Sequence, residues 1–241
     1  ELNVSVHAKK RDPFKPNRHD AASDLYRQAG VTSMINSKRE LRVILIGGSS
    51  NVGKSTLAQS LDLKLEWSHV STDSLARHPG RPWKTRLKTV PENVAEHYLS
   101  LSIDKLLADV LRHYRSMWQG IEAMVTLRAT DLSTDRLILE GSALWPGSVE
   151  TLDLDDVGAI WLTAGNDLFQ TRIHNASRFE EEEAREKTMI QKFLGRSLRY
   201  NEQMMDAVNR LGPLSIDVEA TSSLDQLSDV CLELIRAEPR P

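Results

Sequence analysis

A glycine-rich turn between an apolar run and a helical run most constrains how this chain can fold. The stretch LRVILIGGSSNVGKSTLAQSL, residues 41–61, begins with β-branched residues that favour a buried strand and continues in a pattern typical of a helix. Between the two, residues 48–55 match G-x-x-x-x-G-K-[ST] without a mismatch. Glycines let the backbone turn tightly, so that successive N–H groups point inward, and the helix N-terminus adds positive partial charge. The sequence therefore predicts a phosphate-binding loop.

The side chains of this loop have separate predicted roles. Lys54 reaches the β and γ phosphates of a nucleotide, and the Ser55 hydroxyl ligates Mg²⁺. We therefore predict ATP and Mg²⁺ as ligands. The predicted nucleotide-binding set is Gly48, Ser49, Ser50, Asn51, Val52, Gly53, Lys54, Ser55 and Thr56.

Five apolar, strand-like segments alternate with helical patterns along the rest of the chain. They lie at residues 41–48, 67–73, 135–142, 157–164 and 213–220. This alternation implies right-handed crossovers and a parallel sheet with helices on both faces, which is an α/β three-layer sandwich. Residues 39–238 are predicted to form this domain, with a helical insert at about 91–127 and a lid at about 165–200. Residues 1–38 are predicted as a polar N-terminal arm, because they are charged and contain proline.

Composition narrows the class of protein. Of 241 residues, 40% are hydrophobic and 27% charged, and the net charge of −3 gives no basic field for nucleic acid. No apolar run reaches the roughly 18 residues of a membrane span, and no signal-peptide pattern is present. A single cysteine, Cys231, excludes an internal disulfide and is predicted to be a buried core thiol. These features favour a cytoplasmic enzyme or switch.

A carboxylate ends the second predicted strand, in HVSTDSLAR. Ligands of doubly wound sheets lie at the carboxyl ends of the strands, so Asp73 is aimed at the γ-phosphate region. There it can accept the proton of an attacking hydroxyl, as a kinase general base does. The alternative is that Asp73 caps the helix that follows, and the two roles are compatible. We predict Asp73 as a catalytic and substrate-binding residue.

A basic cluster follows Asp73. It consists of Arg77, His78, Arg81, Lys84, Arg86 and Lys88. One interpretation is a solvated loop, and the other is a substrate loop that receives an anionic group through its arginines. We predict Arg77 and Arg81 as substrate contacts; Arg77 shares a face with Asp73 if a helix begins there.

The third predicted strand ends in Glu140, beside the phosphate loop. There Glu140 can hold Mg²⁺ through a bound water or orient the acceptor, and we predict it as a catalytic and metal-binding residue. The alternative is a carboxylate that only supports the site through hydrogen bonds. In the following SALWPG, Trp145 is predicted to line the acceptor pocket, with plain packing as the alternative.

Two arginines follow the fourth strand, in FQTRIHNASRF. Phosphoryl transfer needs positive charge against the developing negative charge and protection from water. Arg172 and Arg178 lie on the predicted lid, so either can act as an arginine finger in cis. The sequence does not decide between them.

Two common classes of nucleotide-binding protein fit less well. The guanine-reading Asn-Lys-x-Asp motif is absent, which argues against a Ras-like switch, and the third strand ends Glu-Gly rather than Asp-Glu, unlike most motor ATPases.

With these motifs in place, the chain resembles the small P-loop kinases, which include 2-phosphoglycerate kinase, chloramphenicol phosphotransferase and the zeta-toxin kinases. The resemblance covers about residues 41–236 and rests on GGSSNVGKSTLA, STDSLAR, LILEGSALWP and the arginine-bearing segment after the fourth strand. It implies a sheet order of 2-3-1-4-5, MgATP as donor, a lid arginine, and an aspartate in the position of Asp73 that positions or deprotonates the acceptor hydroxyl. The helical insert departs from the most compact members and leaves the acceptor open.

The predicted function is therefore an ATP-dependent kinase that transfers the γ-phosphoryl group to a hydroxyl of a small, anionic metabolite. Three alternatives stay open. One is a nucleotide-binding regulatory protein without an acceptor. Another is a toxin or resistance kinase that acts on a nucleotide sugar or antibiotic. The third, a polynucleotide 5′-kinase, is disfavoured by the acidic net charge. ATP over GTP and the oligomeric state are not decided by the sequence.

Overall fold

A parallel sheet forms the centre of the protein. The computed structural model describes residues 40–76, 80–85 and 89–237, so the predicted N-terminal arm and Arg77 lie outside the described residues. Within these ranges the strands are β1 Val43–Gly48, β2 Ser68–Ser71, β3 Leu137–Glu140, β4 Val157–Thr163 and β5 Ser215–Asp217. Their order is β2-β3-β1-β4-β5 with every pair parallel. The predicted α/β fold class and sheet order are confirmed.

Helices cover both faces of this sheet. In the described ranges they are α1 Lys54–Leu65, α2 Glu92–Ser100, α3 Ile103–Thr130, α4 Pro146–Val149, α5 Asn166–Ser177, α6 Ala184–Leu211 and α7 Leu224–Ala237. Alternate residues of β1 point to opposite faces. Ile44 and Ile46 pack with α1 and α7, whereas Val43 and Leu45 pack with α3 and α6. The buried Cys231 of α7 belongs to the first of these cores, as predicted.

The two long helical segments predicted from sequence are each broken once. The insert divides into α2 and α3 at Leu101–Ser102, where the Ser102 hydroxyl accepts a hydrogen bond from the backbone N–H of Lys105 at 3.3 Å and caps α3. The lid divides between α5 and α6, after Arg178 takes a left-handed conformation with φ 52°. None of the helices in the described residues is long and apolar enough to cross a membrane.

A third, smaller core joins the insert to α6. Trp83, Tyr98 and Ile190 are buried together with Phe193, and the Trp83 and Phe193 rings meet edge to face with centroids 4.9 Å apart. This core fixes α2 and the segment 80–85 against α6, at the carboxyl ends of β2 and β3.

A close backbone approach fixes the relative position of β2 and β3. Gly141 follows β3 directly, and a Cβ on it would lie 1.7 Å from the Thr72 Oγ1 atom, in the turn that follows β2. Only glycine fits this contact. The contact therefore sets where the turn that contains Asp73 lies beside the end of β3.

We predict that Gly141→Ala lowers the free energy of unfolding by about 1–3 kcal/mol, because the new methyl group displaces buried Thr72. Urea denaturation measures the change. Gly120→Ala is the matched control: Gly120 lies within α3 with open space at its Cβ, so alanine raises the free energy of unfolding by about 0.5–1 kcal/mol. Equal effects of the two substitutions would contradict the steric account.

Candidate active site

The predicted phosphate loop joins β1 to α1 and is held from two sides. Gly48 and Gly53 have φ values of 143° and 115°, which glycine adopts readily. The Ser142 hydroxyl, just after β3, donates to the Gly48 carbonyl at 2.9 Å. On the other side, the buried Ser49 hydroxyl donates to the Ser197 carbonyl of α6 at 3.0 Å. The loop is therefore fixed to both the sheet and the helix above it.

Lys54 lies buried at the start of α1, with its ammonium folded back over the loop. Its Nζ atom donates to the Ser49 carbonyl at 2.8 Å. Burial lowers the pKa of Lys54; the carboxylates of Glu140 and Asp73 oppose this effect, and the Arg81 guanidinium adds to it. The net lowering means that the charged ammonium is not fully compensated by the protein alone.

Ser55 and Glu140, the two predicted metal ligands, lie together. The Ser55 hydroxyl donates to Glu140 Oε1 at 3.0 Å. Glu140 is the last residue of β3, beside Ile46 of β1 and Ser71 of β2, and only 3% of it is exposed. A hydroxyl and a carboxylate are oxygen ligands of the kind that Mg²⁺ prefers, so the pair fits the predicted ion. Among the described residues, no group of three or more histidine, cysteine or acidic side chains is arranged so that it could hold a metal ion by itself.

Asp73 lies in a single 3₁₀ turn, Thr72–Ser74, directly after β2. Its backbone N–H donates to the Ser71 hydroxyl at 3.3 Å, so Ser71, and not Asp73, caps the turn. The Asp73 side chain is exposed and lines the cleft described next. The Asp73 carboxylate raises the pKa of both Lys54 and Tyr114. Asp73 therefore shares its electrostatic environment with the phosphate loop, as a predicted base beside the γ-phosphate must.

A cleft of about 550 Å³ runs along the carboxyl edge of the sheet over the phosphate loop. Residues 50–56 form its middle, because β1 is the central strand. Toward the β5 edge it is lined by Val218, Leu227 and the segment 221–224. Toward the β2 edge it is lined by Asp73, Gly80, Arg81, Tyr114, Ser142, Phe193 and Arg196. We call this second part the acceptor end of the cleft.

The two lid arginines occupy different environments. Arg172 of α5 lies over the phosphate loop, where its Nη1 atom donates to the carbonyls of Val52 at 2.6 Å and Asn51 at 3.2 Å. Arg178 directly follows α5 as its cap residue; its side chain is 66% exposed, and its Nη1 atom lies 3.9 Å from the Glu181 carboxylate. Arg178 does not line the cleft. Of the two predicted candidates, the structure places Arg172 at the phosphate loop.

Of the three residues predicted as further substrate contacts, one lines the cleft in the described part of the chain. Arg81 lines the acceptor end, whereas Arg77 lies outside the described residues. Trp145 does not line the cleft: it is half-buried, and its ring packs against that of Tyr200 with centroids 5.6 Å apart. This contact agrees with the packing role that the sequence left open for Trp145.

Two residues that line the acceptor end, Arg196 and Tyr114, were not predicted from the sequence. Arg196 falls on the buried face of α6, between Phe193 and Tyr200 at helical spacing. A charged residue within an apolar stripe was the signal that could have found it. Burial raises the pKa of Tyr114 to about 12, with Asp73 adding to the effect and Arg196 opposing it, so the phenol stays protonated.

Comparison with known proteins gives structural neighbours only. No protein-family model and no curated protein sequence matches the chain. A gluconokinase from Sinorhizobium meliloti 1021 is 16% identical, with 81% of this chain and 91% of that chain covered and a TM-score of 0.47. A shikimate kinase from Aquifex aeolicus vf5 (12%, 80% and 95% covered, TM-score 0.46) and a deoxyadenosine kinase from M. mycoides (15%, 80% and 98%, TM-score 0.43) are also similar. At these values the likeness concerns overall architecture.

We predict that Lys54→Met raises the free energy of unfolding of the nucleotide-free protein by on the order of 1 kcal/mol, because it replaces a buried, incompletely compensated charge with an apolar chain. The folded-state pKa lies below the unfolded one, so the charge destabilises the fold at low pH. This destabilisation decreases as the pH rises from the pKa of Lys54 in the folded protein toward its pKa in the unfolded chain.

Thermal unfolding with and without MgATP measures the stability of the nucleotide-free variant and its response to the nucleotide. The variant is expected to be stabilised without nucleotide but to lose the stabilisation that MgATP gives the wild type. Lys64→Met, on the exposed side of the same helix, is the matched control and should keep the MgATP response. A Lys54 variant that keeps this response would contradict the role of Lys54.

Proposed function

We propose that this protein is an ATP-dependent kinase that transfers the γ-phosphoryl group to a hydroxyl of a small, anionic molecule. The observation that carries the proposal is the continuity of one cleft. It runs from the loop with Lys54 and Ser55, past Asp73, to an acceptor end with arginine side chains. A protein that only bound nucleotide would need the phosphate loop but not a carboxylate base and a second polar chamber beside it.

The proposed reaction is an in-line displacement. The acceptor hydroxyl oxygen forms a bond to the γ-phosphorus while the bond from that phosphorus to the β–γ bridging oxygen breaks, which releases ADP. Asp73 accepts the hydroxyl proton, and its exposure to the cleft and position beside Lys54 support this role. The loop N–H groups and Lys54 stabilise charge on the phosphates.

Mg²⁺ would be held by Ser55 and Glu140 together with phosphate oxygens. The ion supplies charge neutralisation on the nucleotide phosphates when bound. The 3.0 Å hydrogen bond between the two side chains supports this assignment, because it holds both oxygens toward one point.

Arg172 is the lid arginine of this proposal. It reaches the carbonyls of residues 51 and 52 from α5, and a Cβ on Gly53 would lie 3.5 Å from its Nη1 atom. It is thus already beside the loop that binds the phosphates. Arg178, which pairs with Glu181 at the surface, is the comparison residue.

We predict that Asp73→Asn lowers acceptor-dependent ADP formation by about 10²–10⁴-fold, because the amide cannot accept the hydroxyl proton. Incubation with MgATP and a panel of hydroxylated metabolites, followed by ³¹P NMR, identifies the acceptor and measures the rate. Titration calorimetry should give the same affinity for MgATP in the variant and the wild type.

Asp109→Asn is the control, since Asp109 lies on α3 outside the cleft and pairs with Arg112. If no panel member gave acceptor-dependent ADP and Asp73→Asn left nucleotide turnover unchanged, the kinase proposal would be rejected. Tight ATP binding without turnover would then favour a regulatory nucleotide-binding protein.

We predict that Arg172→Lys reduces kcat at saturating substrates by roughly 10-fold or more, because a lysine loses the planar fork that spans the loop and the transferred group. Arg178→Lys, at the exposed C-terminal cap of the same helix, should stay near the wild-type rate. Steady-state kinetics of the two variants decides between the arginines, and a larger loss for Arg178 would overturn this assignment.

A further inference from the structure

Arg196 is a buried guanidinium that the proposed phosphoryl transfer does not yet use. It projects from α6 into the acceptor end of the cleft, and only 5% of its surface is exposed. Among the described residues no aspartate or glutamate forms an ion pair with it. Its surroundings are instead aromatic: the Cζ atom lies 4.6 Å from the ring centroid of Phe193 and 5.9 Å from that of Tyr98.

The hydrogen-bonding capacity of Arg196 is largely unused within the described chain. A guanidinium carries five N–H donors in a planar fork. One of them, on Nη1, donates to the Tyr98 hydroxyl at 3.1 Å, and this is its one hydrogen bond among the described side chains and carbonyls. Burying a charge without a counter-charge is costly, so proteins pair such groups. Because this arginine faces a cleft, the missing anion can come from a ligand.

The Tyr98 hydroxyl connects Arg196 to the second arginine of the acceptor end. It accepts from Arg196 and donates to the Gly80 carbonyl at 3.0 Å. Gly80 precedes Arg81, which also lines the cleft. The edge-to-face contact of Trp83 with Phe193 fixes the same segment on α6. One phenol thus holds both the arginine of the helix and the backbone that carries the other arginine.

We propose that Arg196, together with Arg81, binds an oxyanion of the phosphoryl acceptor, a carboxylate or a phosphate, and that Tyr98 positions the two arginines. This inference rests on the proposed kinase function and specifies the acceptor of the same site. It places the anion of the substrate at α6 and the reacting hydroxyl toward Asp73 and the phosphate loop. The substrate class is a small molecule with a hydroxyl and one oxyanion.

The charges of the acceptor end agree with this class. Two arginines face one carboxylate, Asp73, and Tyr114 is neutral because burial raises its pKa to about 12. An acceptor with one oxyanion leaves this end near neutrality. An uncharged acceptor would leave Arg196 desolvated and unpaired, which disfavours its binding.

The test uses matched pairs of potential acceptors. Hydroxy carboxylic acids are compared with their amides, and phosphate monoesters with their parent polyols, so the two arms separate carboxylate from phosphate. Turnover of the anionic member, with little turnover of its neutral counterpart, is the expected result. Equal turnover of both members would overturn the proposal while leaving the kinase function intact.

Arg196→Met tests the residue itself. It should raise KM for the acceptor roughly 10–100-fold, by loss of a charge-assisted hydrogen bond, and leave KM for ATP unchanged. Arg196→Lys keeps the charge, so its acceptor KM should lie between those of the wild type and Arg196→Met. The lysine variant also provides the test if the methionine variant fails to fold. Arg199→Met is the matched control, because Arg199 lies on the exposed side of the same helix and contacts Asp104. An unchanged acceptor KM in both Arg196 variants would refute the assignment.

Tyr98→Phe tests positioning. It should raise the acceptor KM about threefold to tenfold through loss of one hydrogen bond, with kcat and the ATP KM near wild type. A residue with only a structural role would change thermal stability without this selective effect on the acceptor KM, and that result would contradict the positioning role.

A binding measurement separates this inference from the kinase function. With the protein saturated by MgADP, the Nε–H resonance of Arg196 is followed by NMR and assigned by its loss in Arg196→Lys. The anionic member of at least one pair should shift it, and the neutral member should not. If the panel gives no turnover but this shift occurs, the kinase function fails and the anion site stands. If no anion shifts it, the anion site is rejected.

Discussion

The parallel pairing of β1 with β3 and β4 is the constraint on which the rest of the site depends. Register pairs Ile46 with Glu140 on one side and Gly48 with Leu162 on the other, so the strands end at the same edge of the sheet. At that edge the phosphate loop follows β1, Glu140 ends β3 and the lid helix α5 follows β4. A register shift of one residue would send Glu140 to the opposite face and remove it from Ser55.

Two buried cations of the cleft, Lys54 and Arg196, lack full compensation from the chain. Lys54 has a lowered pKa, and Arg196 has aromatic rings where a carboxylate would ordinarily lie. Both arrangements cost stability in the free protein and strengthen the attraction for ligand anions, because the local dielectric is low. One lies at the phosphate loop and the other at the acceptor end, which suits a protein that takes two anionic ligands side by side.

Local patterns in the sequence predicted much of the fold and the middle of the site. The loop from Gly48 to Ser55 carries its own turn chemistry, and Glu140 and Asp73 come at the ends of strands that the alternating pattern predicts to be parallel. The strand order itself was implied by the resemblance to small P-loop kinases. Arg196 was missed because its proximity to the cleft depends on how α6 packs over the sheet, more than 140 residues after the loop. For Trp145 the sequence left a pocket role and a packing role open, because the direction of its side chain depends on how the helices pack; its ring lies against Tyr200 of α6.

The hydrogen bond between the Ser49 hydroxyl and the Ser197 carbonyl has a consequence for how the two halves of the cleft communicate. Ser197 is the neighbour of Arg196 on one rigid helix, and Ser49 accepts from Lys54 through its own carbonyl. A tilt of α6 therefore changes the surroundings of the ammonium and of the guanidinium together. Coupling between binding sites is reciprocal. Any factor by which one ligand changes the affinity for the other therefore applies equally in the opposite direction.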